Sequence, residues 1–288
     1  MGICLLLLIG AFFFVVIYGL GLFSGGGGSF SLHPKVGVVL VEGIIGDVTD
    51  VIEQIDDFSN DDGIRAVVVR INSPGGGVAS SQEVYQALLE LRKKKKVVAS
   101  MGSVAASGGY LIACAADRIV ANPGTITGSI SAVMHFADIE GLMKKVGVRS
   151  SVVKSGKFKD IGSPAREMTT EEKALLQGVV NDIFEQFIRT VSESRKVPIQ
   201  KIRPLADGRI FSGRQAVRLG LVDELGGLRD AVLVAGKLSG IEGKPDTVYA
   251  AKKKASVWKY LLENMTSAVS GEIRRGTAES RGVQFLYE

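Results

Sequence analysis

Histidine and cysteine are almost missing from this chain, with two of each in 288 residues. The histidines are His33 and His135, and the cysteines are Cys4 and Cys114. No Cys-x-x-Cys pair and no His/Cys cluster occurs, which excludes the common zinc and iron–sulfur frameworks and leaves no metal implied. Cys4 lies in an apolar run and Cys114 in an expected buried helix, so no disulfide is expected. Nor does positive charge gather into a nucleic-acid surface. The net charge is +5, but much of the excess sits in "RKKKK" (92–96) and "AKKK" (251–254) without interleaved aromatics. These runs read as a solvated helix end and a solvated tail. No internal repeat is present. The glycine turn "SPGGG" (73–77) lacks the Lys-Ser/Thr that a phosphate-binding P-loop requires. Apolar residues are not scarce: 46% hydrophobic against 23% charged excludes disorder and allows one large domain with appendages.

The longest apolar stretch, "ICLLLLIGAFFFVVIYGLGLF", runs uncharged from Ile3 to Phe23. At ~1.5 Å per residue it is long enough to cross a ~30 Å hydrocarbon core. It has no basic n-region and no Ala-x-Ala-like cleavage site, so residues 1–24 read as an uncleaved transmembrane anchor. Leu6 stands where a myristoylation signal needs Ser or Thr. "SGGGGSFS" then makes 25–34 a flexible tether. Charge alone is a poor guide to orientation, since Lys35 follows the run and no cation precedes it, a pattern that weakly opposes a translocated body.

From Lys35 onward the chain alternates between two periodicities. "KVGVVLVEG" (35–43), "IRAVVVRIN" (64–72), "KVVASMG" (96–102) and "DRIVANPG" (117–124) read as buried strands, and "VRSSVVKSG" (148–156) as a further one. "SQEVYQALLELRKKKK" carries Val84, Leu88 and Leu91 on one helical face. "TTEEKALLQGVVNDIFEQFIRTVSESRK" (169–196) reads as a long helix opened by a Thr cap and acids. The alternation predicts an α/β domain with mainly parallel strands over 35–240. Residues 241–288 read as a tail whose segment 256–275 forms an amphipathic helix.

Two glycine-containing turns lead from strands into helices, "INSPGGG" and "SMGSVAASGG". In parallel α/β folds such turns collect chemistry, because helix N-terminal N–H groups converge there. Ser107 stands between two alanines and two glycines, at a helix start, where the Gly108 N–H and a bare N–H near Gly75 could meet an oxyanion. A serine nucleophile needs a base. His135, with Asp138 three residues on along an expected helix, cannot be oriented by an acid that close on the same element. His33 lies in the tether. A lysine can serve if its ammonium is desolvated, which must bring its pKa from ~10.4 to ~8 at a cost of roughly 3 kcal/mol. Lys154, Lys157 and Lys159 all follow the strand expected at 148–156, and local sequence does not choose among them.

Several stretches together resemble the signal peptide peptidase A family of membrane-anchored serine/lysine proteases. They are "GIRAVVVRINSPGGG", "MGSVAASGGYLIACAADRIVANPGTITGSIS", "VKSGKFKDIGSPAREMT" and "DGRIFSGRQAVRLGLVDELGG", with the anchor. The resemblance covers about Lys35 to Leu238. It implies a Clp-protease/crotonase-like fold, a spiral of ββα units. It also implies Ser107 as nucleophile, Lys159 as general base, Ser129 as the hydroxyl orienting that lysine, and Gly75 and Gly108 as oxyanion donors. By the same resemblance the body faces the extracytoplasmic side, and the substrates are remnant signal peptides and other short apolar or unfolded peptides. No cofactor is implied, and no nucleic-acid partner. Double-length family members place serine and lysine in different halves, so this chain is expected to form its dyad across subunits of a homo-oligomeric ring. Two rival readings are a crotonase-type acyl-CoA enzyme, opposed by the anchor and the Ser/Lys pairing, and a catalytically silent membrane scaffold.

Overall fold

The computed structural model describes residues 34–250. β-Branched runs build its centre. Strands β1 (Lys35–Ile45), β2 (Ile64–Gly76) and β3 (Lys96–Ala106) lie side by side in parallel, joined by helices α1 (Thr49–Asn60) and α2 (Val78–Lys94). Because side chains alternate along a strand, each strand feeds two layers. Val39, Val67, Val69, Ile71 and Val97 point to one face, where Ile55 and Phe58 of α1 and Val84, Leu88 and Leu91 of α2 bury them. Val36, Val38, Ala66, Val68 and Val98 point to the other face. Strands covered on both sides read as continuous apolar runs, which is why these three are so plain in the sequence.

Beyond β3 follow α3 (Gly108–Ala113), β4 (Arg118–Ala121), β5 (Ile126–Gly128) and the short α4 (Glu140–Lys145). The edge of β3 is shared. Its first half pairs with β4, Val98 opposite Arg118, and its last residues pair with β5, Val104 opposite Ile126. The sheet forks where the Thr125 hydroxyl donates to the Gly102 carbonyl at 2.7 Å. The fork carries the end of β3 away from β4 and towards β5.

The expected long helix is α5 (Thr170–Arg195), capped by Thr169, whose hydroxyl accepts from the Glu172 N–H while the Glu172 carboxylate accepts from the Thr169 N–H. After it come α6 (Ile199–Ile202), β6 (Ile210–Ser212), α7 (Gly213–Arg218), β7 (Glu224–Leu225), α8 (Leu228–Leu238) and β8 (Asp246–Tyr249). Ala231, Val232 and Ala235 of α8 cover the second face of the sheet. In the described residues the main path of the sheet runs β6-β5-β3-β2-β1-β8, with β4 and β7 off it, and only the β5–β6 pair is antiparallel.

Three expectations change. Residues 148–156 form no strand: Val148, Val152 and Val153 are exposed, and a β-branched run with no neighbouring strand to pair with gains nothing from extension. Residues 130–139 are irregular, so His135 and Asp138 share no helix. The sheet also continues past residue 240, because β8 pairs with β1, Lys35 opposite Asp246. The expected anchor, the tether up to residue 33 and the amphipathic segment 256–275 lie outside the described residues. Among the described residues no helix is long and apolar enough to cross a membrane.

Candidate active site

The C-terminal ends of β2 and β3 are neighbours, and both glycine motifs end there. "SPGG" is not a free turn, because β2 continues through it, with Ile44 opposite Gly75 and Ile45 opposite Gly76. Only glycine fits at 76, where a Cβ would lie 2.2 Å from the Ile45 carbonyl oxygen. Beside it, β3 ends and Ser107 turns the chain into α3 with φ 52° and ψ −120°. A positive φ at a non-glycine residue costs about 1–3 kcal/mol, and such strain collects where a side chain must be held out at a site. A serine raised on a strained strand-to-helix turn is the arrangement that exposes a nucleophilic Oγ in enzymes of the α/β-hydrolase fold. The turn is held by its neighbours: the Ser107 N–H donates to the Gly128 carbonyl at 2.9 Å, and the Tyr110 hydroxyl donates to Leu221 O at 2.9 Å.

The small residues around Ser107 have different tasks. Gly108 lets α3 press on α2, since a Cβ there would sit 2.2 Å from Ser81 Oγ. Gly109 packs on the Ser73 carbonyl. Close approach to the serine itself comes from β2. A Cβ on Gly75 would lie 2.8 Å from Ser107 Cβ, 3.0 Å from Gly108 N and 3.1 Å from Ser107 Oγ. Bare Gly75 backbone thus abuts both the hydroxyl and the first N–H of α3, which has no acceptor within its helix. The Gly75 N–H donates to the buried Ser73 Oγ at 3.1 Å. Ser73 is a member of the site that sequence reasoning missed, although it stands inside the motif quoted for Gly75.

Ser107 opens into a small cleft between α2, α3 and α5, lined by Val78, Leu111, Ile183 and Phe187 with Gln82 and Ser131 at its polar side. Ser129, also at φ 52°, follows directly on Gly128, so it lies one residue beyond the Ala106–Gly128 pairing that flanks Ser107. His135 is exposed and lines no part of the cleft. Cys114 is buried, and burial pushes its thiol up to about 12, so it is no rival nucleophile. Among the described residues no group of three or more His, Cys, Asp or Glu is placed to hold a metal.

The three lysines separate clearly. Lys154 donates to the Lys157 carbonyl at 2.9 Å and to the Asp160 carboxylate, and Lys157 is paired with Glu171. Both ammonium groups are thus held by carboxylates. Lys159 makes no ion pair among the described residues; it sits exposed in a turn whose N–H donates to Gly156 O at 3.2 Å. It lines no part of the Ser107 cleft, and no hydrogen bond joins it to Ser107 or Ser129. Within one chain the serine and the lysine are not brought together.

The profile of peptidase family S49 matches residues 90–242, and that of Clp protease matches 32–126. The chain belongs to peptidase family S49. Over 183 residues it is 49% identical to a candidate protease of Synechocystis sp., covering 64% of this chain and 65% of that protein. Over 233 residues it is 37% identical to a candidate protease of Methanocaldococcus jannaschii, covering 80% and 75%. It is 32% identical over 222 residues to the chloroplastic serine protease SPPA of Arabidopsis thaliana, covering 76% of this chain and 33% of that protein. This S49 chain therefore spans just under two thirds of the Synechocystis relative and a third of the Arabidopsis one. The S49 match begins in α2 and takes in Ser107, Ser129 and the lysine loop, while the Clp protease match takes in Gly75 and Ser107.

Proposed function

We propose that this S49 protein is a serine endopeptidase in which Ser107 is the nucleophile and Lys159 of a neighbouring copy is the general base. One observation carries the reading: bare Gly75 abuts Ser107 and the first N–H of α3 at the ends of two parallel strands, so closely that a Cβ at 75 would lie 3.1 Å or less from Ser107 Oγ and Gly108 N. Neutral Lys159 takes the Ser107 proton as Oγ attacks a peptide carbonyl. The developing oxyanion is met by the Gly108 N–H and by the Gly75 N–H, which exchanges Ser73 Oγ for it. Lys159 then returns its proton to the leaving amine and activates the water that releases the acyl group. Ser129, beside Ser107, orients the incoming lysine. Of the three lysines only Lys159 makes no ion pair among the described residues, which supports its choice as base.

A dyad across copies is supported by the lack of a hydrogen bond between Ser107 and Lys159 within one chain, by the absence of Lys159 from the Ser107 cleft, and by apolar residues exposed on the segment between them in sequence. Val133, Leu142, Val146, Val148, Val152 and Val153 are each at least half exposed. A ring of head-to-tail copies buries that surface and delivers Lys159 to the next Ser107. The Clp-protease/crotonase-like ββα spiral belongs to the same reading, supported by the parallel sheet and the forked edge of β3. The apolar cleft favours short apolar or unfolded peptides, remnant signal peptides among them. An anchor at 1–24 and an extracytoplasmic body complete the picture.

The test is cleavage of an internally quenched apolar peptide by the wild type, Ser107→Ala and Lys159→Ala. Both variants are expected to be inactive while folded; a Ser107→Ala protein that still cleaves above a few per cent of the wild-type rate overturns the assignment.

A further inference from the structure

The lysine loop is held by charges that the proposed chemistry does not use. Asp160 follows Lys159 directly. Its carboxylate accepts from Arg166 Nε at 2.9 Å and from Lys154, and its carbonyl accepts from Arg166 Nη2 at 3.3 Å. The same guanidinium donates to Glu172 through Nη1 at 2.8 Å and Nη2 at 2.6 Å. Glu172 is buried and belongs to the capping box of α5, where it also accepts from the Thr169 N–H at 2.9 Å. One planar cation thus joins the residue after Lys159 to the first turn of a 26-residue helix.

We infer that Arg166 is a positioning residue for the base: its guanidinium fork locks the turn bearing Lys159 to the head of α5, so that the amine leaves the chain in one direction. The inference rests on the Ser107/Lys159 reading. Apolar packing does not account for the clamp, because none of residues 151–170 is buried and the clamp's one buried member, Glu172, is held by hydrogen bonds from Arg166 and Thr169. General support of the loop by charge does not account for it either. Lys157–Glu171 and Lys173–Glu167 are exposed single pairs on the same segment, whereas Arg166 makes contacts to both the side chain and the backbone of Asp160. Lys154, Asp160, Arg166 and Glu172 form two cations and two anions in one row, so the network imposes geometry without leaving a surplus charge beside the base. A lysine in place of Arg166 is a point charge and cannot span both carboxylates.

The experiment compares Arg166→Ala and Arg166→Lys with the wild type in the full chain, using the same quenched apolar peptide, and records kcat, KM and the thermal midpoint. Misplacing a reacting group by about an ångström costs on the order of 10²-fold in rate. Arg166→Ala is therefore expected to lose about 10²-fold in kcat with little change in KM, and Arg166→Lys to recover only a minor part of it. Asp160→Asn keeps the carbonyl contact to Arg166 and is expected to fall between them. The inference is overturned if Arg166→Ala retains kcat, if Arg166→Lys restores it fully, or if the loss tracks the unfolded fraction and disappears at a lower assay temperature. Ser107→Ala and Lys159→Ala run alongside separate the two failures. If both cleave normally, the dyad reading has failed; if both are dead and Arg166→Ala is normal, only the clamp has.

Discussion

At the scale of single residues, the site depends on backbone that a side chain would obstruct. Ser107 is held at φ 52° by the end of β3 on one side and α3 on the other. Replacing it by glycine removes the strain, whereas alanine keeps it. Ser107→Gly and Ser107→Ala are both expected to be inactive, with Ser107→Gly about 1 kcal/mol more stable in chemical denaturation. Equal stabilities would show that the turn is not strained by its own side chain. Gly75→Ala is the complementary change. Its Cβ would meet Ser107 and Gly108 at 3.1 Å or less, and its φ of +111° disfavours any side chain. It is expected to lose about 10²-fold in peptide cleavage through displacement of the oxyanion donors, and about 2 kcal/mol of stability. The sequence motif pointed to Gly75 through family likeness, but its contact with Ser107 needed two strands to be laid side by side.

At the scale of elements, α5 and the loop before it act as one unit through Glu172. The Arg166 guanidinium first, then the Thr169 N–H, hold this carboxyl down at about 2 from its ordinary 4.5. A folded pKa below the unfolded one stabilises the fold above the unfolded value and ceases to do so as pH falls through the folded value. The thermal midpoint of Glu172→Gln is therefore expected below that of the wild type at neutral pH, with the gap closing between pH 4.5 and about 2. A gap that stays constant across that window would mean that the charge of Glu172 contributes nothing. On the loop itself, Lys157→Ala is expected to keep near wild-type activity, because its ammonium is occupied by exposed Glu171. If Lys157→Ala is the inactive variant and Lys159→Ala is not, the base has been placed two residues too late. Helix α5 was legible from its Thr cap, acids and apolar period; the absence of a strand at 148–156 was not, because β-branched content signals a strand only where a partner strand exists.

At the scale of the whole molecule, the absence of Lys159 from the Ser107 cleft of its own chain makes assembly part of the catalytic proposal. Co-expressed Ser107→Ala and Lys159→Ala chains, each inactive alone, are expected to recover cleavage in mixed oligomers, since some interfaces then pair an intact serine with an intact lysine. Mixed oligomers confirmed by tag pull-down that remain inactive would show that each copy must supply both groups.

The sequence by itself determined the parallel α/β class, since strands buried on both faces must be apolar at every position, and α2 and α5, since their apolar residues recur at the helical period. It also marked Ser107 and Lys159 through motifs long enough to carry family likeness. Only the tertiary structure decided what each small residue is for: Gly76 for β1, Gly108 for Ser81, and Gly75 for Ser107. It paired Lys154 and Lys157 with carboxylates, while Lys159 makes no ion pair among the described residues. It also joined Asp160, Arg166 and Glu172 into one clamp. The reason is physical. Periodicity and propensity act over a few residues of chain and can be read in order, whereas steric exclusion and ion pairing depend on distances that exist only after the strands and helices have packed.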